Sequence, residues 1–315
     1  MLPYIRVARP ASGAFGSELA QLALELERDV RILADDIGPR GTHRAQAYGV
    51  AQAFLRSALA RMGHRVRLQT WQAHGVECSN IECEIEGVQD PRRILVVGAH
   101  YDSVPGCPAS NDNASGVAGV LALARRALAR PLPITLRLVF FANEEPPHFN
   151  MNEMGSQIYA RAARAKGDQI FGMFCLETIG CYLHEKRSQK WPVQGLSLLL
   201  PNVGDFICLV GPAGATDWIK TCAQAFEKTS AFPMLAAAVP DQLAEQVNWS
   251  DHRGFNEQGY PAFMVTDTAP LRYVHYHEPT DTADKLDYRS MARVVQGIHD
   301  MLGDVAPEPA PEAGK

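Results

Sequence analysis

A chain of 315 residues, 46% hydrophobic and 21% charged, can bury a large core, which excludes global disorder. The formal net charge of −5, with no Lys/Arg stripe interleaved with aromatics, gives no reason to expect a nucleic-acid partner. No run approaches about 18 uninterrupted apolar residues, and the start, MLPYIRVARPASGAFG, lacks a signal-peptide apolar core, so a cytoplasmic chain with no membrane partner is expected. The seven cysteines, Cys78, Cys83, Cys107, Cys175, Cys181, Cys208 and Cys222, are odd in number and never spaced Cys-x-x-Cys. Reduced, buried thiols are expected, with neither a disulfide framework nor a thiolate zinc site.

In chain order, residues 16 to 36 carry Leu19, Leu22, Leu26, Val30 and Leu33 at helical spacing, stopped by Gly38-Pro39-Arg40-Gly41. Thr42 is expected to cap a second helix whose apolar face is Tyr48, Ala51, Phe54, Leu55, Leu59 and Met62, ended by Gly63. Strands are expected at 65 to 71 and 80 to 85, the latter half-exposed. Residues 94 to 97, Ile-Leu-Val-Val, read as a strand covered on both faces. A helix follows from 115 to 130, capped by Ser115 or Asn113 and ended by Pro131 and Pro133. Residues 134 to 141 and 169 to 176 read as further buried strands, and strand, helix and strand are expected at 208 to 211, 214 to 229 and 234 to 239. Ser250 is expected to cap a short helix through Phe255, before a strand at 260 to 266 and a last amphipathic helix at 287 to 302. Alternating strands and helices make an α/β fold, with ligands at the carboxyl edge of its sheet. We expect a single catalytic domain over 1–305, residues 1–90 supplying helices and strands that pack on it, and a disordered Pro/Ala/Glu-rich tail over 306–315.

Three strand ends run directly into polar chemistry. His100 and Asp102, one residue apart on extended backbone, point to one face, where the carboxylate can fix the imidazole's tautomer. Asp112 follows within SNDNASG, Glu144 and Glu145 follow strand 134 to 141, and Glu177 follows strand 169 to 176. A two-metal hydrolytic centre needs hard and borderline ligands, a bridging carboxylate and one carboxylate left free to take a proton. His100, Asp112, Glu145, Glu177 and His277 are the ligand candidates, and Glu144, adjacent to one of them but projecting differently, is the natural base. Each has a plainer reading: a lone histidine is ordinarily a loop or core residue, paired glutamates a solvated patch, and Asp112 a helix cap. His252 and His275 compete for ligand duty as second choices.

These residues resemble the zinc aminopeptidases of peptidase family M28. The matching stretches are VVGAHYDSV, SNDNASGVAGVL, FFANEEPP, CLETIG, WSDHRGFNEQGYPAFMVTDTA and YHEPTDTADKLD, in the family's order between about residues 94 and 287. The resemblance implies a three-layer α/β/α fold with a mixed, mostly parallel central sheet, the phosphorylase/hydrolase-like zinc exopeptidase fold. It implies His100, Asp112 and Glu177 on one metal, and Asp112 bridging to a second held by Glu145 and His277. It further implies Glu144 as general base, Asp102 orienting His100, and Tyr276 donating to the oxyanion. Glu177 stands where many members have Asp, and the larger relatives' extra modules are not expected here.

The expected activity is therefore aminopeptidase hydrolysis of peptides with a free N-terminus, using two Zn²⁺, with Co²⁺ or Mn²⁺ as other ions that such ligands accept. A single-zinc acyltransferase resembling glutaminyl cyclases is the alternative, against which the paired His100 and Asp102 argue. A non-catalytic binding module would have lost ligands or the base, and a structural zinc site would be closed and thiolate-rich. Loops 146 to 154, 178 to 195 and 267 to 275 are expected to build the specificity pocket, with Phe149, Met151, Met154 and Tyr182 as apolar candidates. Oligomeric state is not legible.

Overall fold

The computed structural model describes residues 4–10, 13–192, 196–240, 245 and 247–306. Nine strands form one sheet: β1 (Tyr4–Ala8), β2 (Val66–Ala73), β3 (Val76–Ile85), β4 (Asp90–His100), β5 (Ile134–Phe141), β6 (Gln169–Glu177), β7 (Ile207–Pro212), β8 (Met234–Val239) and β9 (Ala262–Thr266). Their order is β1-β8-β7-β9-β6-β4-β5-β3-β2. The centre, β5-β4-β6-β9, is parallel, as is the β7–β8 pair, whereas β2–β3, β3–β5, β7–β9 and β1–β8 are antiparallel. The helices are α1 (Ser17–Arg31), α2 (Ala45–Arg61), α3 (Gly116–Ala127), α4 (Gly155–Lys166), α5 (Thr216–Thr229), α6 (His252–Glu257), α7 (Ala269–Arg272) and α8 (Tyr288–Val305).

The period-2 alternation of a strand explains the layers. Leu95, Val97 and Ala99 of β4 enter one core with residues of α1, α2, α3, α5 and α8, while Ile94 and Val96 enter a second with Tyr159, Ala160 and Phe255 of α4 and α6. The result is a three-layer α/β/α arrangement around a mixed sheet. At Gly98, a Cβ would lie 2.3 Å from the Phe141 ring, so only glycine lets β4 pass this neighbour. The last helix shows which force dominates locally. Asp287 caps α8 by accepting from the amides of Arg289 and Ser290, worth about 1 kcal/mol. Burying any one of Met291, Val294, Ile298 or Leu302 contributes about 1.5–3 kcal/mol, so packing holds this helix.

Several expectations need correction. Thr42 does not cap α2, which follows a short 3-10 turn; its hydroxyl lies 2.8 Å from His148 Nε2 instead. The strand expected to be half-exposed, β3, is almost wholly buried, because it runs between β2 and β5 and its polar side chains have partners, Asn80 on Gly155 O and Gln69. The strand β1 and the helix α4 were not anticipated. All seven cysteines are free and buried. No helix among the described residues is long and apolar enough to cross a membrane. Of the tail expected to be disordered, Ala306 is buried at the end of α8 and residues 307–315 lie outside the described residues.

Behind the carboxyl edge of the sheet lies Arg40, fully buried, whose guanidinium donates to the carbonyls of Leu33, Gly38, Tyr101, Pro108 and Ala109. Burial lowers its pKa to about 10, which still leaves it charged at neutral pH. It fastens the loop that follows His100 by its main chain.

Candidate metal centre

Parallel strands β4, β5 and β6 end side by side, which sets the first three groups. His100 closes β4 opposite Phe141, and Glu177 closes β6. After β5 the chain turns through Asn143 at φ 59°, a conformation asparagine tolerates better than most residues. Tyr48 donates to the Asn143 side-chain oxygen at 2.8 Å. The turn sends the next two amides to one acceptor: Glu144 N–H and Glu145 N–H donate to the two oxygens of Asp102 at 3.1 and 3.0 Å. Asp102 Oδ1 also lies 3.5 Å from His100 Nδ1.

Asp112 sits in a turn between β4 and α3 that is held from three sides. Asp281 accepts from the amides of Asn111 and Asp112, and Tyr273 donates to Asp281 at 2.8 Å. Asn113 Oδ1 accepts from the amides of Gly116 and Thr178, both at 3.1 Å, joining this turn to the end of β6. A Cβ on Gly116 would lie 2.3 Å from the Leu176 carbonyl, so the approach of α3 to β6 requires glycine there.

The side chains meet as two triads sharing one residue. Asp112 Oδ1 and Glu177 Oε2 lie 3.3 and 3.4 Å from His100 Nε2. Asp112 Oδ2 and Glu145 Oε1 lie 3.0 and 3.5 Å from His277 Nε2. Glu144 Oε2, in neither triad, is 3.9 Å from His100 Nε2. Adjacent glutamates thus face different neighbours, as their order on the chain suggested. The ring of Tyr276 stacks on His277 with centroids 3.9 Å apart. Its hydroxyl's proton affinity is raised by burial first and then by Asp112, Glu145, Glu177 and Glu144.

Electrostatics make this cluster costly without a cation. Burial would push Asp112 up, but His100 and His277 outweigh it and hold the carboxyl below its ordinary range. Burial pulls His100 down, yet the carboxylates of Glu177 and Glu144, with Asp102 and Asp112, raise it well above the usual histidine value. Glu144 and Glu145 are pushed far up, by burial first, with repulsion between carboxylates adding to it; Glu177 is raised by burial against the pull of His100. Buried acids so crowded must share protons or cations. His100 Nε2, Asp112 Oδ1 and Glu145 Oε1 are buried without a hydrogen-bond partner. Ligands about 2.0–2.2 Å from one tetrahedral ion stand about 3.3–3.6 Å apart; the 3.3, 3.4 and 3.5 Å separations match this, and the 3.0 Å between Asp112 and His277 is somewhat shorter. The donor set fits divalent metal.

The second-choice histidines do not join. His252 is buried, with Nε2 2.7 Å from Val247 O, and burial lowers it to about 4. His275 Nδ1 pairs with Thr280 Oγ1 at 2.8 Å. Of the apolar pocket candidates, Met154 is fully buried and Tyr182 packs on Phe232, so both belong to the core, while Met151 is 55% exposed. A cavity of about 540 Å³ lined by Arg65, Arg67, Glu82, Arg137 and Asp168 shares no residue with the cluster.

Sequence reasoning missed two contributors. Ser250, expected as a helix cap, donates instead to Glu177 Oε2 at 2.6 Å. Its neighbour Asp251 is fully buried and raised to about 8, chiefly by burial. Both follow directly in SDHRGF, whose histidine drew attention away from them. Ser250→Ala is expected to leave the fold intact and weaken metal retention by about 10–100-fold, the usual cost of losing a group that orients a ligand. Competition with a chelator measures this; unchanged retention would remove Ser250 from that role.

The model of the family described as "Peptidase family M28" matches residues 80–302. The chain is 33% identical over 312 residues to the uncharacterized protein YfbL of Escherichia coli (strain K12), covering 96% of this chain and 94% of that one. It spans about half the length of curated relatives named probable zinc metalloprotease, among them that of Pyricularia oryzae, with 24% identity over 70% of this chain and 48% of the relative. Its fold is similar to the zinc aminopeptidase BSAP from Bacillus subtilis, with TM-score 0.70 and 14% identity over 93% of this chain and 96% of that one. It is also similar to a Bacteroides thetaiotaomicron glutaminyl cyclase, with TM-score 0.67 and 16% identity over 95% and 100%. The match over 80–302, together with the relatives named zinc metalloprotease, shows that the chain belongs to peptidase family M28 and is, by class, a zinc metallopeptidase.

Proposed function

We propose that this peptidase is an aminopeptidase that removes N-terminal residues by a two-zinc mechanism with Glu144 as general base, within one catalytic domain over residues 1–305. The observation that carries the reading is the division of Asp112, with one oxygen in each triad and Glu144 standing outside both. His100, Asp112 and Glu177 would hold one ion, and Asp112, Glu145 and His277 the other. When bound, the pair would polarise the scissile carbonyl and acidify the attacking water.

The protein's own groups do the rest. Glu144 accepts the attacking water's proton on its carboxylate and passes it to the leaving amine. Asp102 serves twice, orienting the His100 imidazole through Nδ1 and holding the amides of both Glu144 and Glu145. Tyr276, beside His277, donates from its hydroxyl to the carbonyl oxygen as negative charge develops. A carboxylate-rich site attracts a substrate's free α-ammonium, which favours exopeptidase over endopeptidase action.

Aminoacyl chromogenic substrates, with and without an N-terminal block, on chelated and zinc-restored protein test the reading. Cleavage of free substrates alone, restored by zinc, is expected; equal cleavage of blocked ones would sink the aminopeptidase assignment. The glutaminyl-cyclase-like alternative predicts one zinc in the Asp112 cluster at full activity.

A further inference from the structure

A second group of potential ligands lies outside the Asp112 cluster. His74 occupies the two-residue turn between β2 and β3, and His148 and Glu153 lie on the loop between β5 and α4. One ligand atom from each falls within 4.8 Å of the others. The imidazoles of His74 and His148 have centroids 4.7 Å apart, tilted by 51°, and His148 Nδ1 is 3.7 Å from Glu153 Oε2.

His148 gives this group its meaning. It is 2% exposed, and its Nδ1 is buried with no hydrogen-bond partner. Its other nitrogen, Nε2, is 2.8 Å from Thr42 Oγ1. With Nε2–H donating to Thr42, Nδ1 carries a free lone pair 3.7 Å from Glu153 Oε2, the arrangement by which a ligating histidine is oriented through its second nitrogen. The 3.7 Å gap is too long for a hydrogen bond and close to the separation of about 3.4 Å between two ligands of one tetrahedral ion.

We propose that His74, His148 and Glu153 form a separate divalent-cation site, suited to zinc or a similar borderline ion, that clamps the β2–β3 turn to the loop carrying Glu144 and Glu145. Two imidazoles and one carboxylate are a common zinc donor set, with the fourth position open to water. The clamp acts close to the base: His148 N–H donates to the Glu145 carbonyl at 3.0 Å, so an ion on His148 restrains the segment that positions both glutamates.

Equilibrium dialysis of the full chain across a zinc titration, with metal counted per chain, tests the site. The variants are His74→Asn, chosen because asparagine accepts the positive φ of 50° at this turn, and Glu153→Gln at a position whose side chain is 43% exposed. Wild type is expected to take up one equivalent more than either variant, and added zinc to raise its Tm further than theirs. Identical uptake and identical Tm response in all three proteins would overturn the proposal. The readout is a difference of one equivalent, so it stands whichever number of ions the Asp112 cluster holds.

Discussion

Glu144→Gln is expected to lower kcat by about 10²–10⁴-fold, the range for losing a positioned general base, while metal content and fold are retained. The substitution keeps the side chain's size and removes only its ability to take a proton. Glu144 is held by its backbone amide on Asp102 rather than by its carboxylate, so nothing in the positioning of the loop depends on the charge. Burial and the neighbouring Glu145 and Glu177 carboxylates oppose ionisation of Glu144 despite the attraction of His100; a neutral amide relieves that repulsion, so the variant should unfold no earlier than wild type. Saturating kinetics on free aminoacyl substrates, with metal counted in the same sample, check the prediction. Near-normal turnover with full metal would take Glu144 out of the base role.

Asp112→Asn should have the widest effect on metal. Each Asp112 oxygen faces a different histidine, Oδ1 towards His100 at 3.3 Å and Oδ2 towards His277 at 3.0 Å. An amide offers one neutral oxygen and one donor nitrogen, and the donor opposes a cation. Both ions are therefore expected to be lost on dialysis, with affinity falling by more than the roughly 10–100-fold typical of changes behind the ligands. The backbone at this position is fixed by Asp281 on the amides of residues 111 and 112, so the turn should keep its shape. His277→Ala is the control, expected to lose a single ion. Retention of one ion by Asp112→Asn, counted in the Glu153→Gln background so that the separate His148 site does not contribute, would refute the bridging assignment.

The site was legible because strand ends are legible. Runs such as Ile94 to Val97 and Leu136 to Phe141 identify themselves by composition, and in a parallel sheet whatever follows them lands on one edge. Placing His100, the two glutamates and Glu177 at one edge needed no further information. What stayed hidden depends on contacts between distant parts of the chain. Nothing local in Tyr4–Ala8 announces a strand, and it becomes one by pairing with β8, Tyr4 opposite Ala238. The exposure of β3 could not be read from its alternation, since its place between β2 and β5 decides it. Ser250 has the sequence signature of a cap, and only the fold brings its hydroxyl to Glu177. Met154 and Tyr182 were expected in a pocket on composition, but packing claimed them.

Arg40 leaves a particular imprint on which substitutions this chain can accept. Its guanidinium grips main-chain carbonyls, and every residue type carries the same carbonyl. The grip is therefore blind to the side chains of the loop it holds, so an exposed position such as Pro105 is free to diversify around a fixed path. Position 40 has no such freedom. Lysine lacks the planar fork that reaches several acceptors at once, so tolerance along the loop rests on intolerance at one residue sixty-odd positions earlier.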